Sequence, residues 1–276
     1  MTSLNILKEW GEELEKRLRL KTFPLAIKML EKEDDVPVDA HRPLRDFGFH
    51  LSLCQSFQIS RREGATIASL AEDMWCFEPV VGYGFGETPQ YFLEGHNRYP
   101  HDVKTPEAGR NYARDFPRLE VGKYVGIVSA PLTKATFEPD LVMIYCDSAQ
   151  LSVLLMGREW RDGHSLNVSL SSHAACVFAV VPALVRKECQ VAIPCRGDHY
   201  RAMAGDDELI FTLPMINMED LMAGIRHVEK AGTRLPHGYS LALEYSQAES
   251  YEKIAMMIGY RGKSSSPWKP NPLTGS

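Results

Sequence analysis

Six cysteines give the 276-residue chain its most reactive side chains. They are Cys54, Cys76, Cys146, Cys176, Cys189 and Cys195. No two of them form a CxxC pair, so their spacing excludes a zinc ribbon and a ferredoxin-type run. Six cysteines are also too few for a disulfide framework in a chain of this length. A thiolate site would therefore be assembled in space, from cysteines that are distant in sequence.

Four of the cysteines fall at the ends of expected helices and strands. Cys76 and Cys176 lie where a strand gives way to a helix, Cys54 at a helix start, and Cys195 just after a strand, before Arg196. Helix N-termini and neighbouring arginines favour the thiolate. These four form the predicted metal site. The competing interpretation is that they are buried thiols that act as small hydrophobic residues.

Histidines lie close to three of these cysteines and keep a second metal hypothesis open. His50 precedes Cys54, His173 precedes Cys176, and His199 follows Cys195. Spacings of three or four residues put both groups on one face of a helix. A mixed Cys/His zinc site is the alternative cofactor prediction. Cys146 and Cys189 are left out of both ligand sets.

A glycine-rich stretch and the polar segment after it predict a ligand-binding loop. The stretch runs from Gly82 through Gly84 to Gly86, and residues 87–120 contain no long apolar run. Long connections of this kind are often functional lids, although a plain surface loop has the same composition. The predicted ligand-binding residues are Gly82, Gly84, His96, Arg98, His101 and Arg196.

The hydrophobic pattern alternates strands with helices, which is typical of an α/β protein. Predicted helices cover residues 3–19, 50–62, 107–116, 149–160, 174–185, 218–231 and 247–258. Predicted strands cover residues 25–30, 66–70, 124–129, 141–146, 166–170, 190–193 and 208–213. We expect a mixed sheet flanked by helices.

A short repeat suggests that the chain consists of two similar halves. Ser69-Leu70 precedes Cys76 with the same spacing as Ser169-Leu170 precedes Cys176. The expected organisation is one domain over residues 1–262, with halves at about 20–118 and 119–235, and a mobile tail at 263–276. An internal duplication would place Cys76 and Cys176 at equivalent turns. Chance matching is the competing explanation.

Composition excludes several classes of protein. The net charge is −5, from 31 Lys and Arg against 36 Asp and Glu, which gives no electrostatic case for nucleic acid. The longest apolar run, at residues 174–185, is too short to span a membrane, and no signal peptide is recognisable. We expect a cytoplasmic protein with a small-molecule ligand and no membrane partner. A homo-oligomer is expected on general grounds only.

Several short motifs together resemble the domain of unknown function 169 family, also called ArCR. They are Pro24-Leu25-Ala26-Ile27-Lys28, Leu53-Cys54-Gln55, the Cys76 turn with Gly82 and Gly84, Ala174-Ala175-Cys176, and Pro194-Cys195-Arg196-Gly197. The resemblance covers roughly residues 10–235 and implies cysteines at these four positions. In the family a second cysteine often follows the Cys-Arg-Gly group. This chain has Asp198-His199 there.

These observations lead to two hypotheses of different classes. The first is a cytoplasmic iron–sulfur protein with a four-iron four-sulfur cluster on Cys54, Cys76, Cys176 and Cys195. Such a protein could be an enzyme that uses an open iron as a Lewis acid on a small anionic or oxygenated molecule. The second is a non-catalytic protein that binds a small molecule or zinc. The sequence assigns no reaction to either.

Overall fold

One sheet of six strands forms the centre of the fold in the computed structural model, which describes residues 4–233, 235 and 249–259. The strands are β1 (Leu25–Leu30), β2 (Ile67–Leu70), β3 (Gly126–Pro131), β4 (Leu141–Cys146), β5 (Gln190–Ala192) and β6 (Leu209–Pro214). Their order is β2-β3-β1-β4-β6-β5, and all five pairings are antiparallel. The α/β class is confirmed. The prediction of a mixed sheet is wrong, because the sheet is antiparallel. Alternation of strands and helices along a chain does not fix strand direction.

The sheet has an approximate internal two-fold. The central pair is β1 and β4. Outward from it the order is β3 then β2 on one side and β6 then β5 on the other, so β1, β2 and β3 correspond to β4, β5 and β6, respectively. The register agrees with this, because Ala26 lies opposite Val142 at the middle of the central pair. Leu25, which begins β1, pairs with Pro131. Leu141, which begins β4, pairs in the same way with Pro214.

This two-fold does not match the repeat predicted from the sequence. Cys76 follows the second strand of the first three, whereas Cys176 follows the first strand of the second three. Residues 166–170 form no strand, so Ser169-Leu170 has no counterpart to β2. The predicted boundary near residue 118 also separates β3 from β1 and β2. The internal duplication itself stays a prediction.

Helices cover both faces of the sheet. They are α1 (Leu4–Leu18), α2 (Leu53–Gln58), α3 (Phe77–Gly82), α4 (Gln90–Leu93), α5 (Pro106–Asp115), α6 (Ser148–Glu159), α7 (Ala175–Arg186), α8 (Arg196–Ala202) and α9 (Met218–Lys230). A π-helical turn, residues 59–63, continues α2. Each of these helices except α3, α4 and α8 matches a predicted one within a few residues, and the sequence analysis placed no separate element at those three.

Successive strand residues point to opposite faces, which divides the core in two. Leu25 and Ile27 of β1 pack on the first face, together with α7 and residues of α2, α3 and α5. Ala26 of β1 packs on the second face, together with α1, α6 and α9. Both faces of β4 are fully covered, and all six of its residues are buried.

The predicted strand at residues 166–170 is wrong for a physical reason. Leu166 and Val168 pack partly buried against the second-face core, and Leu170 is exposed. The alternation of apolar and polar residues therefore reflects packing of an irregular segment rather than a sheet ladder. The edge strand next to β6 is β5.

The chain divides into two compact units, Met1–Leu235 and Pro236–Ser276. The described part of the second unit is one helix, α10 (Glu249–Met257), close to the predicted helix at 247–258. The predicted tail at 263–276 lies outside the described residues. Among the described helices, none has the length and apolar character needed to cross a membrane.

Candidate functional site

The four predicted cysteines come together at one pocket. Cys54, Cys76, Cys176 and Cys195 all line a cavity of about 680 Å³, which we call the cysteine pocket. Cys176 and Cys195 also contact the first-face core, so the pocket lies on that side of the sheet. Cys146 and Cys189 belong to the second-face core instead. The fold thus separates the six cysteines into the same two groups as the sequence analysis.

The four cysteines occupy two pairs of corresponding positions about the two-fold of the sheet. Cys54 is the second residue of α2, between β1 and β2, and Cys176 is the second residue of α7, between β4 and β5. Cys76 immediately precedes α3, after β2, and Cys195 immediately precedes α8, after β5. The correspondence is therefore Cys54 with Cys176 and Cys76 with Cys195.

Backbone N–H groups near the sulfurs follow the same correspondence. Burial raises the pKa of Cys76, and the N–H of Leu53, first residue of α2, partly offsets this rise. The N–H of Ala175, first residue of α7, has the same effect on the pKa of Cys195. In each three-strand set, the helix that carries one cysteine thus places a backbone N–H near the sulfur of another. N–H groups directed at sulfur favour thiolates and tune metal-bound sulfur.

Burial keeps the four thiols protonated at neutral pH when nothing is bound. It raises the pKa of Cys76 to about 11 and is the largest cause of the raised pKa values of Cys54, Cys176 and Cys195. For Cys176 the next causes are thiolates at Cys76 and Cys54, which would raise its pKa further, followed by Asp198 and Cys195. Asp198 is the second cause for Cys54 and Cys195. The four sulfurs are therefore close enough to interact electrostatically, and a cation among them would relieve their repulsion.

A buried ion pair is connected to the start of α8 through Tyr145 and Asp198. Arg61, in the turn after α2, donates to both carboxylate oxygens of Glu208 at 2.7 and 2.8 Å. Its guanidinium lies 3.8 Å from the centre of the Tyr145 ring. The Tyr145 hydroxyl donates weakly, at 3.5 Å, to Asp198. Asp198 in turn accepts the backbone N–H of Cys195 at 3.0 Å, which fixes the start of α8.

Two of the six predicted ligand-binding residues line the cysteine pocket. These are Arg98, whose side chain is buried, and Arg196, which is exposed. His96 and His101 are not among the lining residues, and His96 pairs with Glu94 at 3.1 Å. The segment after the glycine-rich stretch therefore contributes Arg98 and Asp102 to the pocket, whereas its two histidines lie outside the pocket lining.

Gly82 and Gly84 lie outside the pocket lining and serve packing. A Cβ at Gly82 would come within 2.4 Å of Val177 Cγ1, so glycine allows α3 to approach α7 closely. Gly84 has a φ of +66°, and a Cβ there would lie 2.4 Å from the carbonyl oxygen of Glu120. Close packing of α3 on α7 holds the segment that begins with Cys76 beside the helix of Cys176.

Only one of the three histidines in the zinc hypothesis lies at the cysteine pocket. His173 lines the cysteine pocket, whereas His50 and His199 do not. The Nδ1–H of His199 is placed to donate to the Ala204 carbonyl at 3.1 Å. Within residues 4–233, 235 and 249–259, no three His, Cys, Asp or Glu side chains are arranged to hold a single metal ion.

The structure adds pocket residues that the sequence analysis did not select. Those with polar or aromatic side chains are Ser52, Trp75, Glu78, Asp102, Tyr200 and Arg201. Asp198 was also missed as a support, although its position three residues after Cys195 is a capping-box spacing. Ser52, Trp75 and Glu78 lie within two residues of Cys54 or Cys76, so proximity in sequence could have selected them. Asp102 has no such relation to a cysteine.

Comparison with known proteins identifies a family. The model of the domain of unknown function 169 family, described as uncharacterised ArCR, matches residues 13–224. The match covers most of the chain, which therefore belongs to this family, as the sequence motifs predicted. Neither the curated proteins nor the solved structures contain a significant match.

Proposed function

For this member of the uncharacterised ArCR family, we propose that the cysteine pocket binds an iron–sulfur cluster through Cys54, Cys76, Cys176 and Cys195. The observation that carries the proposal is the convergence of these four cysteines, from four separate segments, on one pocket. A four-iron four-sulfur cluster takes four thiolates as ligands.

We favour a cluster over a zinc ion held by cysteine and histidine, because two of the three histidines of that hypothesis, His50 and His199, lie outside the cysteine pocket. A single metal ion also requires all its ligands to converge on one point. The four thiolates of a cluster bind different iron atoms and surround the group instead. Because Cys54 corresponds to Cys176 and Cys76 to Cys195, the sulfurs approach the pocket in two matched pairs.

The protein groups around the sulfurs also suit a cluster. The Ser52 hydroxyl lies 3.1 Å from Cys54 Sγ, and the backbone N–H groups of Leu53 and Ala175 counteract the rise that burial causes in the pKa values of Cys76 and Cys195. Hydrogen bonds of this kind set the reduction potentials of iron–sulfur centres. When bound, the cluster would supply electron transfer or Lewis-acid chemistry. The chain's own groups would hold the thiolates and partly exclude water.

A series of cysteine variants tests the proposal. Each of C54A, C76A, C176A and C195A is purified and reconstituted without oxygen, and iron and acid-labile sulfide are measured per folded chain. C146A and C189A are matched controls, because both remove a buried thiol from the second-face core. We expect the wild type and both controls to bind about four irons and four sulfides. Each pocket variant should lose most of this, with C54A resembling C176A and C76A resembling C195A.

The result that overturns the proposal is equally specific. If the four pocket variants fold, as judged by circular dichroism, and bind as much iron and sulfide as C146A, the cysteines do not hold a cluster. A wild-type protein that binds zinc and no iron after reconstitution would also refute it. It would favour the zinc hypothesis with His173 as a ligand.

A further inference from the structure

The four pocket cysteines differ in exposure, and the difference follows the two-fold of the sheet. Cys54 and Cys176, each the second residue of its helix, are buried. Cys76 and Cys195, which immediately precede α3 and α8, are partly exposed. A group bound to these cysteines would therefore have an inner side, toward the core, and an outer side that reaches the protein surface.

Five residues form the surface next to the two partly exposed cysteines. Trp75 immediately precedes Cys76, and Arg196 and Gly197 immediately follow Cys195. The next turn of α8 adds an aromatic and a basic side chain. All five residues line the cysteine pocket, and we call them the outer rim: Trp75, Arg196, Gly197, Tyr200 and Arg201.

Gly197 brings the outer rim close to two of the sulfurs. A Cβ at this position would lie 3.5 Å from Cys195 Sγ and 3.8 Å from Cys54 Sγ. Because glycine has no side chain, none stands between the backbone of α8 and these sulfurs. Gly197 is itself partly exposed, so a molecule that contacts it from solvent would come close to the thiolates of the proposed cluster.

The outer rim carries positive charge that has no counter-charge. Arg196 and Arg201 are exposed and form no ion pair with a residue that the structure describes. Two carboxylates, those of Glu78 and Asp102, also line the pocket, and both pair with Arg98. The three arginines thus outnumber the two acids, although the whole chain has a net charge of −5. An acidic partner would find matching charge at this surface.

The acidic residues that follow α8 do not neutralise the two rim arginines. Asp206 lies 4.0 Å from His199, and Asp207 pairs with Lys21 at 2.9 Å. Asp198, within α8, is buried and accepts a hydrogen bond from the backbone instead. The positive charge of the rim is therefore available to a partner.

Aromatic rings hold the two rim arginines in place. The Arg201 guanidinium lies 4.4 Å from the centre of a Trp75 ring, and that of Arg196 lies 5.4 Å from the Tyr200 ring centre. Trp75 is 46% exposed and Tyr200 is 81% exposed. Trp, Tyr and Arg are the residues that most often dominate the binding energy of protein interfaces. Their concentration beside Cys76 and Cys195 is typical of a docking surface.

We infer that the outer rim is the docking surface for a small acidic electron-transfer protein, whose carboxylates pair with Arg196 and Arg201. The inference rests on the proposed function, because one electron would pass between the partner and the cluster at this surface. The partner's reduced centre loses that electron and is oxidised, the cluster gains it and is reduced, and no bond forms or breaks. A rim of five residues suits the small interfaces of transient redox complexes.

Nucleic acid fits the outer rim less well than an acidic protein. Its closely spaced phosphates require many cations along a path, and the rim offers two. Glu78 and Asp102, at the same pocket, would repel further phosphates. A protein can place single carboxylates opposite Arg196 and Arg201 and leave the two acids unopposed.

Calorimetric titration tests the inference with two small acidic electron carriers, a plant-type ferredoxin and a flavodoxin. Each is titrated without oxygen into reconstituted protein, at about 20 mM and about 200 mM salt. Cytochrome c, a basic electron carrier, and a single-stranded DNA oligonucleotide are the comparison probes. Iron and acid-labile sulfide are measured on the same samples, and sedimentation records self-association.

The variants are Arg196→Gln, Arg201→Gln and the double variant, with Arg186→Gln as the matched control. Arg186 is also exposed and also forms no ion pair with a described residue. It lies at the opposite end of α7 from Cys176, about 15 Å along the helix axis. All three positions are exposed, so the substitutions should leave folding intact.

We expect the wild type and Arg186→Gln to bind at least one acidic carrier with equal affinity at the lower salt concentration. Each single rim variant should weaken this binding several-fold and the double variant tenfold or more. The higher salt concentration should weaken binding by the wild type more than binding by the double variant, because salt screens exposed charge pairs. Cytochrome c and DNA should bind more weakly than the acidic carrier.

Several results would overturn the inference. They are the absence of binding for both acidic carriers, equal binding by the wild type and the double variant, and rim-dependent binding of DNA or cytochrome c alone. Self-association that the double variant abolishes would assign the rim to a second copy of the chain instead.

Failure of the cluster proposal is recognised separately from failure of the docking surface. A protein that contains no iron or sulfide but binds an acidic carrier through Arg196 and Arg201 would overturn the electron-transfer role and leave the cysteines without a cluster. Conversely, a protein that contains a cluster but binds neither carrier refutes only the docking surface.

Discussion

Replacing Glu208 by glutamine removes the negative charge of the buried Arg61–Glu208 ion pair and should destabilise the fold strongly. The Arg61 side chain is 0% exposed and that of Glu208 is 7% exposed, so the remaining guanidinium would be left buried without a counter-charge. Breaking such a pair typically costs about 3–5 kcal/mol. With a urea m-value of about 3 kcal/mol/M, the unfolding midpoint should fall by about 1–2 M.

The matched control is Glu107→Gln. Glu107 also pairs with an arginine at 2.7 Å, but its side chain is 62% exposed and that of Arg110 is 50% exposed. Solvent screening limits such a pair to about 0.5 kcal/mol, so the midpoint should barely move. Urea unfolding of both variants and the wild type, prepared without oxygen and with matched metal content, makes the comparison. Equal midpoints for the two variants would refute the argument that burial decides the effect.

The same pair makes a pH-dependent contribution whose sign follows from the pKa of Glu208. Burial alone would raise this pKa, but hydrogen bonds from Arg61 and the Gly205 N–H outweigh burial and lower it. The unfolded chain therefore binds a proton more readily than the folded protein does. The stabilisation is present above the pKa of unfolded Glu, about 4.3, and is lost as the pH falls through the lower folded value. The midpoint difference between the wild type and Glu208→Gln should shrink on acidification.

Two further variants test how the pocket is held. Gly82→Ala should lower the unfolding free energy by about 1–3 kcal/mol, because its Cβ would lie 2.4 Å from Val177 Cγ1. Gly86→Ala, whose Cβ would meet no atom closer than 3.5 Å, is the control, and equal thermal midpoints for these two variants would contradict the close packing of α3 on α7. Tyr83→Phe removes the 2.8 Å hydrogen bond to the Cys176 carbonyl at a fully buried site and should cost about 1–3 kcal/mol without loss of iron. Unchanged stability, or a loss of iron from protein that is still folded, would show that this hydroxyl does not act as described.

The sequence predicted the local structure better than the arrangement of the sheet. The amphipathic periodicity of α1 and the continuous apolar runs of β1 and β4 are strong local signals, and the positions of these elements were predicted within a residue or two. Strand direction and strand order depend on long-range pairing, which no local pattern records. The segment 166–170 shows the limit most clearly. Its alternation is real, but packing of Leu166 and Val168 on the core accounts for it without a ladder.

The candidate site was only partly predictable. The position of each cysteine at the end of a helix or strand could be read from local sequence. Their convergence and the correspondence of Cys54 with Cys176 depend on the two-fold of the sheet. The sequence match at Ser69 and Ser169 suggested a different correspondence. Arg98 was selected for its residue type, but the partners of its Nη groups, Asp102, Glu78 and Tyr112, are known only from the fold.

The most direct test of the central claim is the iron and acid-labile sulfide content of wild-type protein purified without oxygen, measured together with its visible spectrum. The account predicts a brown protein with iron and sulfide in near-equal amounts, because four thiolates at one pocket would hold a cluster. A colourless protein without iron or sulfide, both as purified and after reconstitution, would contradict it. The four cysteines would then be buried thiols that line the pocket.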